Sequence, residues 1–306
     1  MKAPALALVA VTTLALAAGC GRSASNTDLQ QGPPCSEGTY LRSGTVTNQI
    51  TVDGRQRSYM LTSPGGSTTL LRPVVFDFPG LGESAREEAA YSHLADQAAA
   101  RGFIGVTAQA LNDIWTIPPL PGPNDVHYFQ AVLDDVEAHY CVSPAQVYVA
   151  GISNGAAFAG ALACRDGLFI AGVAMVAGIN AYAQCHNGPV RVIGFNGTAD
   201  PIVPYNGGKI FGGSDQQGGG VVPSADQAFR GWGSRNECFG SPTAKSVAAD
   251  VELTTFSQQC SAPTELYTLV GGGHTWPGAT PVADKLLGPT NETVSATKLI
   301  LDFFAS

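Results

Sequence analysis

Charge is scarce in this sequence. Asp, Glu, Lys and Arg make up 13% of its 306 residues, acids outnumber bases 24 to 16, and the formal net charge is -8. There is no Lys/Arg-rich tract, and a surface of this sign repels nucleic acid, which excludes nucleic-acid binding as a function class. The seven cysteines show no C-x-x-C spacing, so no metal site is expected. No apolar run is long enough to cross a bilayer; residues 6–18 come nearest and fall short. The glycine-rich stretch 206–222 lacks the Lys-Ser/Thr of a phosphate-binding loop and reads as a surface loop. There is no internal repeat and no change of composition after residue 35. What is abundant is apolar: 44% hydrophobic residues over this length can bury a full core.

The amino terminus reads as a targeting segment. Met1-Lys2 is a minimal positive region and residues 6–18 an apolar one. They end in Leu16-Ala17-Ala18-Gly19-Cys20, similar to a bacterial lipobox, with Ala17 where Leu is commoner. The expectation is a signal peptide over 1–19, a lipidated Cys20 and flexible tether over 20–34, and a single domain over 35–306. The protein is then exported and held on the extracytoplasmic side of the membrane by its lipid alone, with ordinary secretion as the alternative. Setting Cys20 aside leaves Cys35, Cys141, Cys164, Cys185, Cys238 and Cys260. An even count in an exported chain suggests disulfides. Sequence alone does not choose their connectivity; sequential pairing (Cys35–Cys141, Cys164–Cys185, Cys238–Cys260) is the arrangement expected.

Apolar β-branched runs alternate with helical patterns. A hairpin is expected around Asp53-Gly54. Strands are expected at 74–78, 103–107, 146–150, 171–176, 190–195 and 266–270, the last of them. Helices are expected at 87–101, 127–140 and 292–304, with a further Ala/Phe helix before Cys238. This alternation implies an α/β fold with a mainly parallel central sheet and helices on both faces.

Gly151-Ile152-Ser153-Asn154-Gly155 lies between the strand Gln146-Val147-Tyr148-Val149-Ala150 and a run of small helix-compatible residues. G-x-S-x-G alone recurs by chance in a chain with 37 glycines. Strand, sharp turn and helix around it make it a nucleophile elbow. A serine nucleophile needs a base, and the base needs an orienting carboxylate. In α/β-hydrolases the chain order is Ser, acid, His. Of five histidines only His186 and His274 follow Ser153. His274 stands in Gly271-Gly272-Gly273-His274 directly after a strand and is the expected base, whereas His186 reads as a surface residue. Asp200, after the strand 190–195, is the expected acid. Asp125, Asp134 and Asp135 break the order, and Asp215 and Asp226 are weaker choices. The oxyanion donors are expected to be the N–H groups of Asn154 and Leu81, since Pro79 has none. Trp115 and Trp276 are candidate walls of the substrate pocket, and Trp232 a core residue.

Val52-Asp53-Gly54, Pro79-Gly80, Asn124-Asp125-Val126, Tyr148 through Gly155, Gly197-Thr198-Ala199-Asp200-Pro201-Ile202-Val203-Pro204-Tyr205 and Gly273-His274-Thr275-Trp276-Pro277-Gly278 carry a resemblance over nearly all of 35–306. The chain resembles the secreted esterase family of poly(3-hydroxybutyrate) depolymerases, feruloyl esterases and acetylxylan esterases, the carbohydrate esterase family 1-like α/β-hydrolases. That resemblance implies an α/β-hydrolase fold, no metal and no organic cofactor. It implies a carboxylic ester substrate, small or oligomeric, with hydroxyalkanoate, feruloyl and acetyl esters all open. One departure is Pro79-Gly80 where the family usually has His-Gly. That His is not a triad member, so activity is expected to survive. Two rival expectations are a serine peptidase of related fold and a catalytically silent binding lipoprotein.

Overall fold

The computed structural model describes residues 40–67, 69–165, 167–180, 185, 188–213, 220–281 and 286–306. The expected leader and tether, Cys20, Cys35, His186 and Asp215 lie outside the described residues.

β1 (Tyr40–Val52) and β2 (Arg55–Ser67) form the expected hairpin. Asp53 and Gly54 both have positive φ, 50° and 73°, the geometry of a two-residue turn whose twist matches the strands it joins. Five parallel pairings make the middle of the sheet. They join β3 (Arg72–Phe78), β4 (Ile104–Ala108), β5 (Val142–Ile152), β6 (Gly172–Val176), β7 (Arg191–Gly197) and a late strand, Thr264–Leu269. A two-stranded pair, β8 (Gly208–Lys209) with β9 (Val221–Val222), closes the glycine-rich loop. β10 (Pro242–Ala248) and β11 (Val251–Phe256) then lead into that late strand, β12. The order across the ten-stranded sheet is β1-β2-β4-β3-β5-β6-β7-β12-β11-β10, antiparallel only toward its two edges.

The side-chain period of two divides β5 between two cores. Val147 and Val149 face one core with α3 (Asp125–His139), α4 (Asn154–Ala163) and α5 (Ala225–Arg235), through Val132, Phe158 and Phe229. Tyr148, Ala150 and Ile152 face the other with α2 (Leu94–Ala100) and α6 (Ala296–Ala305), through Leu94 and Ile300. Burial on both faces is why the central strands read as unbroken apolar runs.

Three sequence expectations change. The helix expected over 87–101 is two, α1 (Ala85–Ser92) and α2, broken at His93 in the left-handed region. Ser92 Oγ donates to buried Asp77 on β3 and accepts from the Leu94 N–H, so a tertiary contact ends a run that composition would continue. The closing helix starts at Ala296, not 292, because Asn291 and Thr293 are bonded to Asp250 and Ser295 caps it. β10 and β11 were not expected; β10 is exposed on both faces and offers no alternation to read. Cys164–Cys185 and Cys238–Cys260 are disulfides as expected, and Cys141 is disulfide-bonded as well. Trp232 is core, its indole N–H donated to the Asn180 carbonyl.

Candidate active site

β5 ends at Ile152, α4 begins at Asn154, and Ser153 alone makes the turn, with φ 56° and ψ -118°. A non-glycine residue is costly there and is held by its surroundings. The Ser153 N–H donates to the Val176 carbonyl at the end of β6, 2.9 Å. The motif glycines are required by contact with β3. A Cβ on Gly155 would stand 2.0 Å from the Phe78 carbonyl oxygen and 2.5 Å from that of Pro79; one on Gly151 would stand 2.7 Å from the same Phe78 oxygen. The elbow therefore lies directly against the strand that leads into the Pro79-Gly80-Leu81-Gly82 loop.

His274 follows β12, and its N–H donates to the Leu287 carbonyl at 2.6 Å. Its Nδ1 meets Asp200 Oδ2 at 2.8 Å, both side chains buried. The other carboxylate oxygen, Oδ1, accepts from the Ile202 and Val203 N–H groups, each at 2.8 Å. These two backbone donors fix the carboxylate in its own turn. With Nδ1–H given to Asp200, Nε2 is the acceptor of the ring. Ser153 and His274 line one cleft of about 400 Å³ together with Gly80, Leu81 and Gly82. The size suits a small-molecule substrate.

In the loop after β3, the Gly80 N–H donates to Glu83 Oε2 (2.9 Å) and the Gly82 N–H to the Asp113 carbonyl (2.8 Å). Among the described residues nothing accepts from Leu81 N–H. Asn154 has its side chain tied back to the Trp115 backbone, Oδ1 accepting at 2.7 Å and Nδ2 donating at 3.3 Å. Its N–H opens α4, where the helix dipole favours negative charge.

The two tryptophans do not wall the cleft. Trp115 is 2% exposed, stacked on Phe158 at 4.9 Å, with its indole N–H donated to the Pro79 carbonyl. Trp276 is 1% exposed and donates its indole N–H to Thr297. Each ring finds its polar partner inside, and sequence proximity to His274 was no guide to where Trp276 points. The cleft is lined instead by Glu83, Glu87, Tyr91, Ile152, Ile202, Phe211 and Leu287. Sequence reasoning missed these, since α1, the end of β5 and several loops distant in sequence contribute them; only the capping box of Ser84 with Glu87 left a local signature. Asp125 is a buried partner of Arg57 at 2.8 Å and accepts from the Thr116 N–H. Among the described residues no three His, Cys, Asp or Glu side chains come together as a metal site.

Beside the loop, burial pushes the Asp77 carboxyl up to about 7 and that of Glu88 well above the usual carboxylate range. Burial also raises the Tyr91 phenol, whose oxygen accepts the Trp276 N–H at 3.0 Å.

No family model matches the chain. It is 30% identical over 283 residues to "Putative esterase NocK" of Nocardia uniformis subsp. tsuyamanensis, covering 85% of this chain and 82% of that protein. It is 25% identical over 236 residues to "Probable feruloyl esterase C" of Aspergillus terreus, covering 74% and 80%. The acetyl xylan esterase of Aspergillus awamori shares the fold, with a TM-score of 0.56 over 85% of this chain and 99% of that one, at 12% identity.

Proposed function

The chain belongs to the feruloyl-esterase-like family of α/β-hydrolases and is a serine ester hydrolase; from that premise we propose that Ser153 is its nucleophile, His274 its general base and Asp200 the carboxylate that orients the base. The observation that carries the assignment is the buried Asp200–His274 bond of 2.8 Å, opening on the same cleft as the elbow serine. In this reading Ser153 Oγ attacks the ester carbonyl while Nε2 of His274 takes its proton. Asp200 stabilises the imidazolium without becoming protonated itself. The Leu81 and Asn154 N–H groups receive the oxyanion. The alkoxide leaves with the proton from His274, and water attacks the acyl-enzyme by the same relay in reverse.

Pro79 stands where the family usually has His. Its carbonyl accepts from Trp115 and abuts Gly155, so the loop keeps its support. Leu81, Ile152, Ile202, Phe211 and Leu287 make the cleft largely apolar. That lining favours an aromatic acyl group such as feruloyl over acetyl, which would leave most of it unfilled. The disulfides fit an exported protein, and no helix among the described residues is long and apolar enough to cross a membrane. Export with lipidation at Cys20 is part of the proposal; Cys20→Ser is expected to abolish incorporation of labelled palmitate.

The direct test is hydrolysis of p-nitrophenyl acetate, p-nitrophenyl butyrate and methyl ferulate by the protein and by Ser153→Ala. The variant is expected to keep its unfolding midpoint and lose about 10⁴-fold or more in kcat. Retention of ester turnover by Ser153→Ala would refute the mechanism. Faster turnover of methyl acetate than of methyl ferulate, two esters with the same leaving group, would refute the reading of the acyl site.

A further inference from the structure

Glu83 holds the turn before α1 by two bonds. Its carboxylate accepts the Gly80 N–H at 2.9 Å, and its own N–H donates to the Gly80 carbonyl at 3.3 Å. A trans peptide points its C=O and N–H in opposite directions, so whatever fixes the Gly80 carbonyl also fixes the Leu81 N–H on the other side of the same plane. Gly80, Leu81 and Glu83 all line the cleft with Ser153 and His274. Behind Glu83 lies Glu88 of α1, fully buried. Neither of its carboxyl oxygens has a hydrogen-bond donor, and its acidic neighbours are Glu83 and Asp77. Asp77 is tied in turn to the Ser92 hydroxyl at 2.6 Å.

Resting on the esterase reading above, we infer that Glu83 is a positioning residue of this enzyme: its carboxylate and its N–H hold the peptides on the two sides of Gly80 and so set the direction of the Leu81 N–H toward the reacting carbonyl, and the buried carboxyl of Glu88 keeps the Glu83 side chain in that place. Two carboxylates cannot lie side by side in the interior, so the contact requires a proton on Glu88, which donates to a neighbouring carboxylate. The charged groups acting on Glu88 are Asp77 of β3 and Glu83 of the loop, both acidic. Glu87 is turned to Ser84 at the surface, Tyr91 of α1 carries no charge at neutral pH, and His274 lies across the cleft. No Lys or Arg contributes to holding Glu88 ionised. Loss of the Glu88 proton at high pH therefore drives the carboxyls apart and frees the Gly80 N–H from Glu83, loosening the turn that carries Leu81.

The experiment is the pH profile of p-nitrophenyl butyrate hydrolysis by the wild type, Glu83→Ala, Glu83→Gln and Glu88→Gln. Glu83→Ala is expected to lower kcat by about 10- to 100-fold with little change in KM, as a displaced oxyanion donor would. Glu83→Gln keeps an acceptor for the Gly80 N–H and is expected to restore most of that loss. Glu88→Gln has the shape and hydrogen bonding of a protonated acid but cannot ionise, so its activity is expected to persist to higher pH than that of the wild type. Wild-type kcat in Glu83→Ala overturns the inference. So does an alkaline limb in Glu88→Gln that superimposes on the wild type, a result that decides the matter even where Glu83→Ala does not fold. A wild type that neither turns over the ester nor reacts with a fluorophosphonate overturns the esterase reading itself, and the inference with it.

Discussion

Gly155→Ala separates what a helix wants from what this elbow permits. Gly155 lies in the first turn of α4, and replacing a helical Gly with Ala ordinarily stabilises by about 1 kcal/mol. Here the new methyl would meet two backbone oxygens, Phe78 at 2.0 Å and Pro79 at 2.5 Å, the first at least 1.0 Å closer than such contacts allow. Neither obstacle is a flexible side chain that can swing aside. Phe78 ends β3, paired to β5 at Gly151, and the Pro79 carbonyl is held by Trp115. Relief requires α4 and the β3 end to separate, an overpacking cost of about 1–3 kcal/mol, with the upper end expected for backbone against backbone. Set against the propensity gain, the net loss is about 2 kcal/mol. The separation also moves Ser153 relative to Leu81, and a misplacement of about 1 Å can cost on the order of 100-fold in rate. Urea unfolding gives the first quantity and kcat on p-nitrophenyl butyrate the second. A variant about 1 kcal/mol more stable than wild type with unchanged kcat would refute the steric account of the elbow.

Other consequences follow from the same geometry. Trp115→Ala removes a buried ring stacked on Phe158 and the donor to the Pro79 carbonyl, so unfolding free energy is expected to fall by about 3–5 kcal/mol; a change confined to KM would return Trp115 to the substrate pocket. Replacing Cys238 and Cys260 by Ser opens a loop of sequence separation 22 and is expected to lower stability by about 3 kcal/mol in chemical denaturation, and an unmoved midpoint would deny the bridge a structural role. Burial raises the Asp77 carboxyl to about 7 in the folded protein, so its protonated form is the favoured native one. Stability from this group is full below the ordinary carboxylate range and is lost as pH rises through about 7. The urea midpoint should therefore fall between about pH 4 and pH 7, and fall less in Asp77→Asn; parallel profiles for the two proteins would contradict this origin.

Much of the fold was legible because its signals are local. Asp53-Gly54 names its turn, and the doubly buried strands at 74–78 and 171–176 announce themselves as apolar runs. Gly-x-Ser-x-Gly between a strand and a helix declares an elbow. His274 and Asp200 were readable from chain order and from the strands before them, and the structure joins them at 2.8 Å. Where reading failed, a distant residue had overridden local preference. Asp77 captures Ser92 and breaks an Ala-rich helix; Asp250 holds Asn291 and Thr293 and delays the last one.

By itself, then, the sequence determined the α/β class, the elbow, the histidine loop and the acid turn, because periodicity, turn chemistry and motif spacing act between near neighbours. Only the tertiary structure decided which side chains wall the cleft. It sent Trp115 and Trp276 inward to partners for their indole N–H groups, and brought Leu81, Ile202, Phe211 and Leu287 to the mouth instead. It also decided that Glu88 is buried beside Asp77 and Glu83, near the loop that follows β3. The ionisation of Glu88 and Asp77 depends on burial and mutual distance, and those exist only once β3 and α1 have packed together.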